Sequence, residues 1–190
     1  MEVKGGSKKY EEFAYVLDML PHGRPSSQRA AYQTGGVIQI IGETYFTLLE
    51  ATPRRDVTIN IRERIYVGKA GRTKVSHILG RISYEELTSS AKAELSGIIE
   101  SIIRSDEKRF LDFFNASQPI TPRMHAMELI PGIGKKLMWQ ILEQRERDPY
   151  VSFDDLQTRV NLPDPVKLVA RRILKELSEE EKYLIFTRKM

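Results

Sequence analysis

The sequence contains no cysteine, which excludes disulfide bonds, thiolate metal sites and a cysteine nucleophile. Its three histidines, His22, His77 and His125, are dispersed, and none has the spacing of a His-Glu-x-x-His zinc motif. A Gly-x-Ser-x-Gly nucleophile elbow is also missing. The adjacent carboxylates Asp154 and Asp155 are explained by the negative charge that a helix N-terminus favours. We therefore name no catalytic residue, no metal site and no cofactor, and we expect a protein that is not an enzyme.

Long apolar segments are missing as well. The N-terminus has no apolar signal segment, and no run approaches the roughly 20 apolar residues that a membrane-spanning helix needs. We expect a soluble, cytoplasmic protein without a membrane partner. Over 190 residues the formal net charge is +4, which suits a polyanionic partner, although a charge excess kept for solubility explains it too.

The most informative stretch runs from Leu129 to Met138 and reads Leu-Ile-Pro-Gly-Ile-Gly-Lys-Lys-Leu-Met. Upstream of it, Thr121 followed by Pro122 is typical of a helix start. We predict a helix from there to Pro131, which forces the residue before it out of the helical region. A second helix begins at Lys135, so the pattern predicts a helix, a tight hairpin and a helix.

Glycine gives this hairpin its chemistry. Gly132 and Gly134 permit backbone angles that side chains forbid, so that N–H groups can approach a ligand closely. The unpaired N–H groups at the start of the second helix point the same way, and phosphate is their usual ligand. Lys135 and Lys136 add whole charges. The sequence therefore predicts a grip on a phosphate backbone that does not read bases.

The hairpin resembles the helix-hairpin-helix motif found in many DNA- and RNA-handling proteins, where the loop glycines contact backbone phosphates. The alternative is a loop that merely contains one proline and two glycines between helices. We favour the motif, because apolar residues lie correctly on both sides of the loop. The candidate contacts are Pro131, Gly132, Ile133, Gly134, Lys135 and Lys136.

Residues 13–82 show alternating rather than helical periodicity. Five strands are predicted in roughly seventy residues, which suggests a small closed β-barrel of the OB or S1-like type; a half-open sheet with helices against it is the alternative. The predicted strands are Phe13–Leu20, Val37–Ile41, Thr44–Ala51, the stripe from Val57 to Val67, and Lys74–Ile82.

The segment from Arg62 to Arg81 is strongly basic, and Glu63 is its only acidic residue. Tyr66 is predicted on the strand face opposite Ile65 and Val67, on the side of Arg64. Basic residues beside an outward aromatic suit a groove for single-stranded nucleic acid, and a solvated edge that discourages strand pairing is the equal alternative. The cations are Arg62, Arg64, Lys69, Arg72, Lys74 and Arg81.

The rest of the chain is predicted to be helical. Ser83 with Glu86 forms a capping box that starts a short helix, and two amphipathic helices follow it in the connector. The segment Asn161–Pro165 stands where a second hairpin belongs. Asn161 tolerates a left-handed conformation, and Asp164 followed by Pro165 is a good cap and first position for the next helix. But Asp164 puts a carboxylate where phosphate would sit. We therefore interpret the second hairpin as mainly structural. Peripheral backbone contacts are assigned to Lys167, Arg171 and Arg172.

Three further expectations concern the end of the chain. Trp139 lies roughly 130° from the centre of the apolar stripe of its helix. We favour packing against the connector or the barrel, and partial exposure near the hairpin is the alternative. The acidic run Glu179–Glu181 is expected to be solvated. The apolar run Tyr183–Phe186 is expected to dock on the body of the protein.

Beyond the hairpin, the whole chain resembles an archaeal family of uncharacterised proteins, domain-of-unknown-function family 655. The resemblance is carried by Ala14–Asp18 with its Pro-His-Gly-Arg-Pro loop, by Ile41–Glu43 leading to Tyr45–Leu49, by Tyr66–Lys69, and by the hairpin. It implies an OB-like barrel joined to a tandem helix-hairpin-helix domain, with RNA or other nucleic acid as the partner.

The predicted fold class is therefore α+β, a small OB/S1-like β-barrel followed by an all-α tandem helix-hairpin-helix domain. The leading functional hypothesis is sequence-nonspecific nucleic-acid binding, with RNA favoured over DNA and protein partners unknown. The alternatives are a protein-interaction module and a nucleic-acid-processing enzyme without a recognisable motif. The predicted parts are a flexible tail (1–12), the barrel (13–82), a helical connector (83–118), the tandem domain (119–178) and a C-terminal tail (179–190).

Overall fold

The computed structural model describes residues 10–21 and 36–188. The predicted loop from His22 to Ser27 and residues 1–9 of the predicted tail, including Lys4, Lys8 and Lys9, lie outside the described residues. The chain divides into two compact units, the first ending at Glu94 and the second beginning at Leu95. Their secondary structure is mixed α and β.

The first unit is a curled five-stranded antiparallel sheet, a half-barrel with the order β4-β1-β2-β3-β5. Alternating apolar side chains point inward and form its core, as the periodicity predicts. That core includes Val16, Ile38, Ile40, Ala51 and Ile65. The strands are β1 (Phe13–Leu20), β2 (Val37–Gly42), β3 (Leu48–Pro53), β4 (Arg64–Tyr66) and β5 (Val75–Arg81).

The third strand is shorter than the sequence suggests. Residues 43–45 form a turn instead of the predicted strand start. The reason is Glu11, whose buried carboxylate accepts hydrogen bonds from the backbone N–H groups of Thr44, Tyr45 and Thr47. Those N–H groups are therefore not available to a β ladder. A Cβ on Gly42 would meet the Glu11 carboxylate at 2.0 Å, so this close approach needs glycine.

The predicted stripe from Val57 to Val67 is also interrupted. Only Arg64–Tyr66 forms a strand, and the residues before it run through irregular turns. Ile59 is buried, whereas Ile61 is 42% exposed. Arg62 adopts a φ of 66°, which an extended strand does not allow.

A buried glutamine ties the sheet to the residues that follow it. The Gln39 side chain donates to the Glu50 carboxylate (3.1 Å) and to the backbone carbonyl of Glu86 (3.0 Å), and it accepts from the N–H of Thr88 (2.9 Å). The Thr88 hydroxyl then accepts from the N–H of Ala91. The predicted capping box is confirmed, because the N–H of Ser83 donates to Glu86 and opens the short 3-10 helix Tyr84–Glu86.

Five α-helices and two short strands complete the described fold. No helix formed by residues 10–21 and 36–188 is long and apolar enough to cross a membrane. The elements are α1 (Ser89–Ser105), which crosses the division between the units, then α2 (Glu107–Ala116), β6 (Pro119–Thr121), β7 (Met124–His125), a 3-10 turn (Ala126–Leu129), α3 (Lys135–Arg147), α4 (Phe153–Val160) and α5 (Pro165–Ser178).

The predicted helix start at Thr121-Pro122 is wrong. Thr121 ends β6, and the chain reverses at Pro122 and Arg123 into β7. The helical turn begins later, where the imidazole Nδ1 of His125 accepts the N–H of Met127 at 3.2 Å. A proline at the second position of a β-turn produces the same local sequence signal as a proline in the first turn of a helix.

The C-terminal segment folds back on α5 around a buried ion pair. The Arg172 guanidinium is 2.8 Å from Glu176, and both side chains are almost fully buried. Glu176 accepts the N–H groups of Ile185, Phe186 and Thr187. The predicted docking of the apolar run is confirmed, since the Phe186 ring packs against two rings of α2.

Two predictions about charged residues near the C-terminus are therefore wrong. Arg172 is only 1% exposed and cannot touch a nucleic-acid backbone. Glu181 is not a freely solvated acid, because it pairs with Arg172 (3.1 Å) and Lys175 (2.9 Å). The lysine lowers the pKa of the Glu181 carboxyl below its ordinary value. The helical pattern alone does not show that the chain returns over this face of α5.

Candidate functional site

The loop before α3 is built by proline and glycine, as predicted. Ile130 is extended, with φ −79° and ψ 120°, as expected for the residue before Pro131. Its carbonyl accepts the N–H of Ile133 at 3.0 Å and closes the turn. Gly132, between them, has φ 98°, which favours glycine.

Gly134 plays a different part from the one predicted. It is the N-cap of α3 with φ −85° and ψ 174°, angles that any residue adopts, so its backbone does not require glycine. A Cβ placed on it would meet no atom within 4 Å. The missing side chain instead leaves the space in front of the first turn of α3 open.

The first turn of α3 carries positive charge and no cap. Within the part of the chain that the structure describes, no side chain caps this helix, and its first backbone bond runs from Met138 to Gly134. The N–H groups before Met138 have no intrahelical acceptor and carry partial positive charge. The ammonium groups of Lys135 and Lys136 are exposed, and neither forms an ion pair among the described residues. These charges together favour an anion at this point.

The second loop shows the opposite arrangement. Asn161 ends α4 in the left-handed conformation (φ 51°), as predicted. The Asp164 carboxylate then accepts the N–H groups of Val166 (3.0 Å) and Lys167 (3.3 Å) at the start of α5. A side chain of the protein already occupies the position that a phosphate would take. Lys167 and Arg104 lie 3.8 and 3.9 Å from the same carboxylate.

A cleft lies between the two loops. Its volume is about 420 Å³, and it is lined by residues of α3 and by the C-terminal end of α4. Gln140 and Leu137, which line it on α3, were not among the predicted contacts. The signal for Gln140 was its place one turn beyond Lys136 on the same helix, and Leu137 directly follows Lys136. The lining residues are Gly134, Lys136, Leu137, Gln140, Val160 and Asn161.

The favoured prediction that Trp139 packs inside the protein is wrong, and the alternative of partial exposure agrees with the structure. The side chain is 66% exposed, on the outer side of α3. Met138 and Ile141 take the buried positions of this helix. The deviation of Trp139 from the apolar stripe indicates solvent exposure rather than a second packing surface.

The predicted basic surface of the sheet is largely committed to partners inside the protein. Arg62 pairs with Glu94, and Lys74 pairs with Glu63. The guanidinium of Arg64 donates twice to Glu43, at 3.0 and 2.7 Å, and this contact raises the pKa of Arg64. Arg72 donates to the backbone carbonyls of residues 67 and 68.

The aromatic residue of the predicted groove is also occupied. The Tyr66 ring packs edge-on against Phe13 at 5.4 Å and covers Gly68, whose Cβ would meet the Tyr66 hydroxyl at 2.3 Å. Lys69 lies over the Tyr10 ring at 4.2 Å. The structure therefore does not present Tyr66 as a free stacking platform.

Comparison with known proteins identifies the family. The chain matches the family described as protein of unknown function (DUF655) over residues 10–188. The chain belongs to this family. It is 41% identical over 187 residues to the uncharacterized protein MJ0038 of Methanocaldococcus jannaschii, covering 97% of this chain and 83% of that protein.

A solved relative has the same fold. The crystal structure of Af1531 from Archaeoglobus fulgidus, a DUF655 protein, superposes with a TM-score of 0.84 at 44% identity, over 94% of this chain and 100% of that one. The family description and both names state no ligand and no activity. Among residues 10–21 and 36–188, no three His, Asp or Glu side chains are arranged to hold a metal ion.

Proposed function

We propose that this family member binds nucleic acid, and that Pro131–Lys136 forms a helix-hairpin-helix motif that holds backbone phosphate without reading base sequence. The observation that carries the proposal is the contrast between the two loops. The first leaves the N–H groups of its helix uncapped beside two exposed lysines, whereas the second fills the equivalent position with Asp164. RNA is favoured over DNA, as in the sequence-based hypothesis, and the family resemblance implies RNA or another nucleic acid as the partner.

The half-barrel is proposed to be OB-like. Its two end strands, β4 and β5, are connected through the ammonium of Lys74, which precedes β5 and reaches both Glu63 and the carbonyl of Thr58. Within this proposal the sheet contributes less charge than the sequence suggests, since most of its cations are paired. Arg81, whose side chain is exposed, is its best remaining phosphate contact.

The test is a binding titration with labelled single-stranded RNA, single-stranded DNA and duplex DNA at several salt concentrations. A phosphate-holding site predicts affinity that falls with a log–log slope of about −0.7 to −0.9 for each phosphate contacted. Lys136→Met is expected to reduce that slope by about one unit on every sequence. Lys108→Met, which removes an exposed lysine paired with Asp112 on α2, is the control. Binding that does not depend on salt would contradict the proposal.

A further inference from the structure

The exposed tryptophan has no role in the phosphate contact described above. Trp139 is the only tryptophan of the chain, and two thirds of its side chain is in solvent. Burial of apolar surface is favourable in proportion to the area removed from water, so an exposed indole forgoes a stabilising contribution that a buried one makes. Among the described residues, only Val151 is a more exposed large apolar side chain.

The position of Trp139 on its helix relates it to the proposed site. At about 100° per residue, it lies about 40° from Lys135 and about 60° from Lys136, on the surface between them. It stands one helical turn further from the loop than these lysines. Glu143 is the acid in the same sector, and its carboxylate is 2.5 Å from Arg147. The ring therefore has two cations beside it that form no ion pair within residues 10–21 and 36–188, and beyond it an acid that is paired with Arg147.

Lys136 lies between the cleft and Trp139 on the surface of α3. Lys136 and Gln140 line the cleft, and Trp139 lies one helical turn beyond Lys136 on the solvent-exposed side of α3. One helical turn advances about 5.4 Å, so Trp139 lies about that far along α3 beyond the two lysines. A strand held at the start of α3 thus brings its next base to the level of Trp139.

We infer that Trp139 is a base-stacking platform and that the site takes single-stranded rather than duplex nucleic acid. This inference rests on the proposed function and deepens it. A phosphate at the loop is common to single strands and duplexes, but the face of a base is accessible only where the strand is unpaired. Charge complementarity favours a nucleic-acid strand as the ligand of this surface, because Lys135 and Lys136 flank the ring. A base stacked on Trp139 covers the apolar surface that the protein leaves in solvent.

The experiment follows the intrinsic fluorescence of the sole tryptophan during titration of the full chain. Three probes of about 12 nucleotides are compared: a single-stranded RNA, a blunt duplex, and an abasic strand that keeps its phosphates and lacks bases. The variants are Trp139→Ala and Trp139→Phe, with Val151→Ala as the matched removal of an exposed apolar side chain. The two Trp139 variants lack the fluorescent reporter. The affinities of all the proteins are therefore measured by the anisotropy of labelled probes.

The expected result is quenching by the single-stranded RNA and not by the abasic strand. Trp139→Ala is expected to weaken binding of the single strand about 10-fold and to leave the abasic strand unchanged, whereas Trp139→Phe retains most of the affinity. Equal affinity of Trp139→Ala and the wild type for the single strand, with salt-sensitive binding intact, would overturn the inference and leave the phosphate site standing. Absence of binding to all three probes would overturn both.

Discussion

At the residue scale, the two loops differ in one carboxylate, that of Asp164. Asp164 accepts the N–H groups of Val166 and Lys167, whereas the corresponding position before α3 is Gly134, which has no side chain to offer. Aspartate is among the best N-caps, and glycine at this position is less favourable by roughly a few tenths of a kcal/mol. The protein therefore forgoes helix stability at α3 and retains it at α5. The proposed phosphate contact at α3 needs this difference, because a carboxylate at Gly134 would occupy the anion's place.

A second residue with a testable property is His125. Burial, with a contribution from the Arg145 guanidinium, lowers the pKa of this imidazole below its ordinary value of 6.5. In the folded protein Nδ1 accepts the N–H of Met127 and needs to be unprotonated. The unfolded chain therefore binds more protons than the native one below about pH 6.5, and the free energy of unfolding falls as the pH drops through that range.

Replacement of His125 by asparagine is expected to remove this part of the pH dependence. Asparagine keeps an acceptor for the cap and does not titrate. The measurement is urea unfolding of the wild type and of His125→Asn at pH 7.5 and 5.5. His77→Asn, at an exposed histidine, is the control and should lose stability on acidification as the wild type does. The same loss in His125→Asn would contradict the assignment.

At the element scale, α5 organises the end of the chain. Arg172 on α5 donates to the carbonyl of Leu129, just before the first loop, and to the carbonyl of Tyr183 in the C-terminal segment. The side chain of Leu168 packs near Gly132, where a Cβ would lie 3.2 Å from it. Helix α5 therefore contacts the loop before α3 but provides no cap for the start of α3.

Replacement of Arg172 by methionine is expected to destabilise the protein by about 3 to 5 kcal/mol. The variant leaves the Glu176 carboxylate buried without its cation, and such a loss usually costs this much. Arg171→Met, at the exposed neighbour, is the matched control and should stay within about 0.5 kcal/mol of the wild type. Urea unfolding at pH 7.5 measures both. Equal stability of the two variants would show that the buried pair does not hold this segment.

At the scale of the whole molecule, patterns that depend on local physics were predicted well. Alternating apolar residues identified all five strands of the half-barrel, and Pro131 ended the helical turn at Ile130 as expected. The left-handed Asn161 and the cap by Asp164 were also predicted correctly. Each of these depends on a few neighbouring residues and on one backbone or periodicity rule.

What could not be predicted depends on residues far apart in the sequence. The Glu11 carboxylate, which prevents residues 43–45 from joining β3, is 33 positions from Thr44 in the sequence. Arg64 forms its ion pair with Glu43, which is 21 positions away. A basic residue and its partner are separate letters in the sequence, so the predicted groove of Arg62 to Arg81 appeared more available than it is. For the same reason, nothing local distinguished the buried Arg172 from its exposed neighbour. The loop geometry around Pro131 and Gly132 was predictable because it is contiguous, whereas the cleft beside it also includes residues of α4.

The account as a whole depends on the open position at Gly134, and Gly134→Asp tests it most directly. Aspartate fits there without strain and should cap α3 as Asp164 caps α5, raising the free energy of unfolding by a few tenths of a kcal/mol to about 1 kcal/mol. It also places a negative charge where the phosphate would bind.

The measurement is the affinity of Gly134→Asp for single-stranded RNA at low and moderate salt, beside its stability. We predict a protein at least as stable as the wild type that binds RNA at least 10-fold more weakly, with a shallower salt slope. Gly134→Asn, which caps without the charge, should lose less affinity. Unchanged RNA affinity in a folded Gly134→Asp protein would contradict the central claim that the start of α3 holds phosphate.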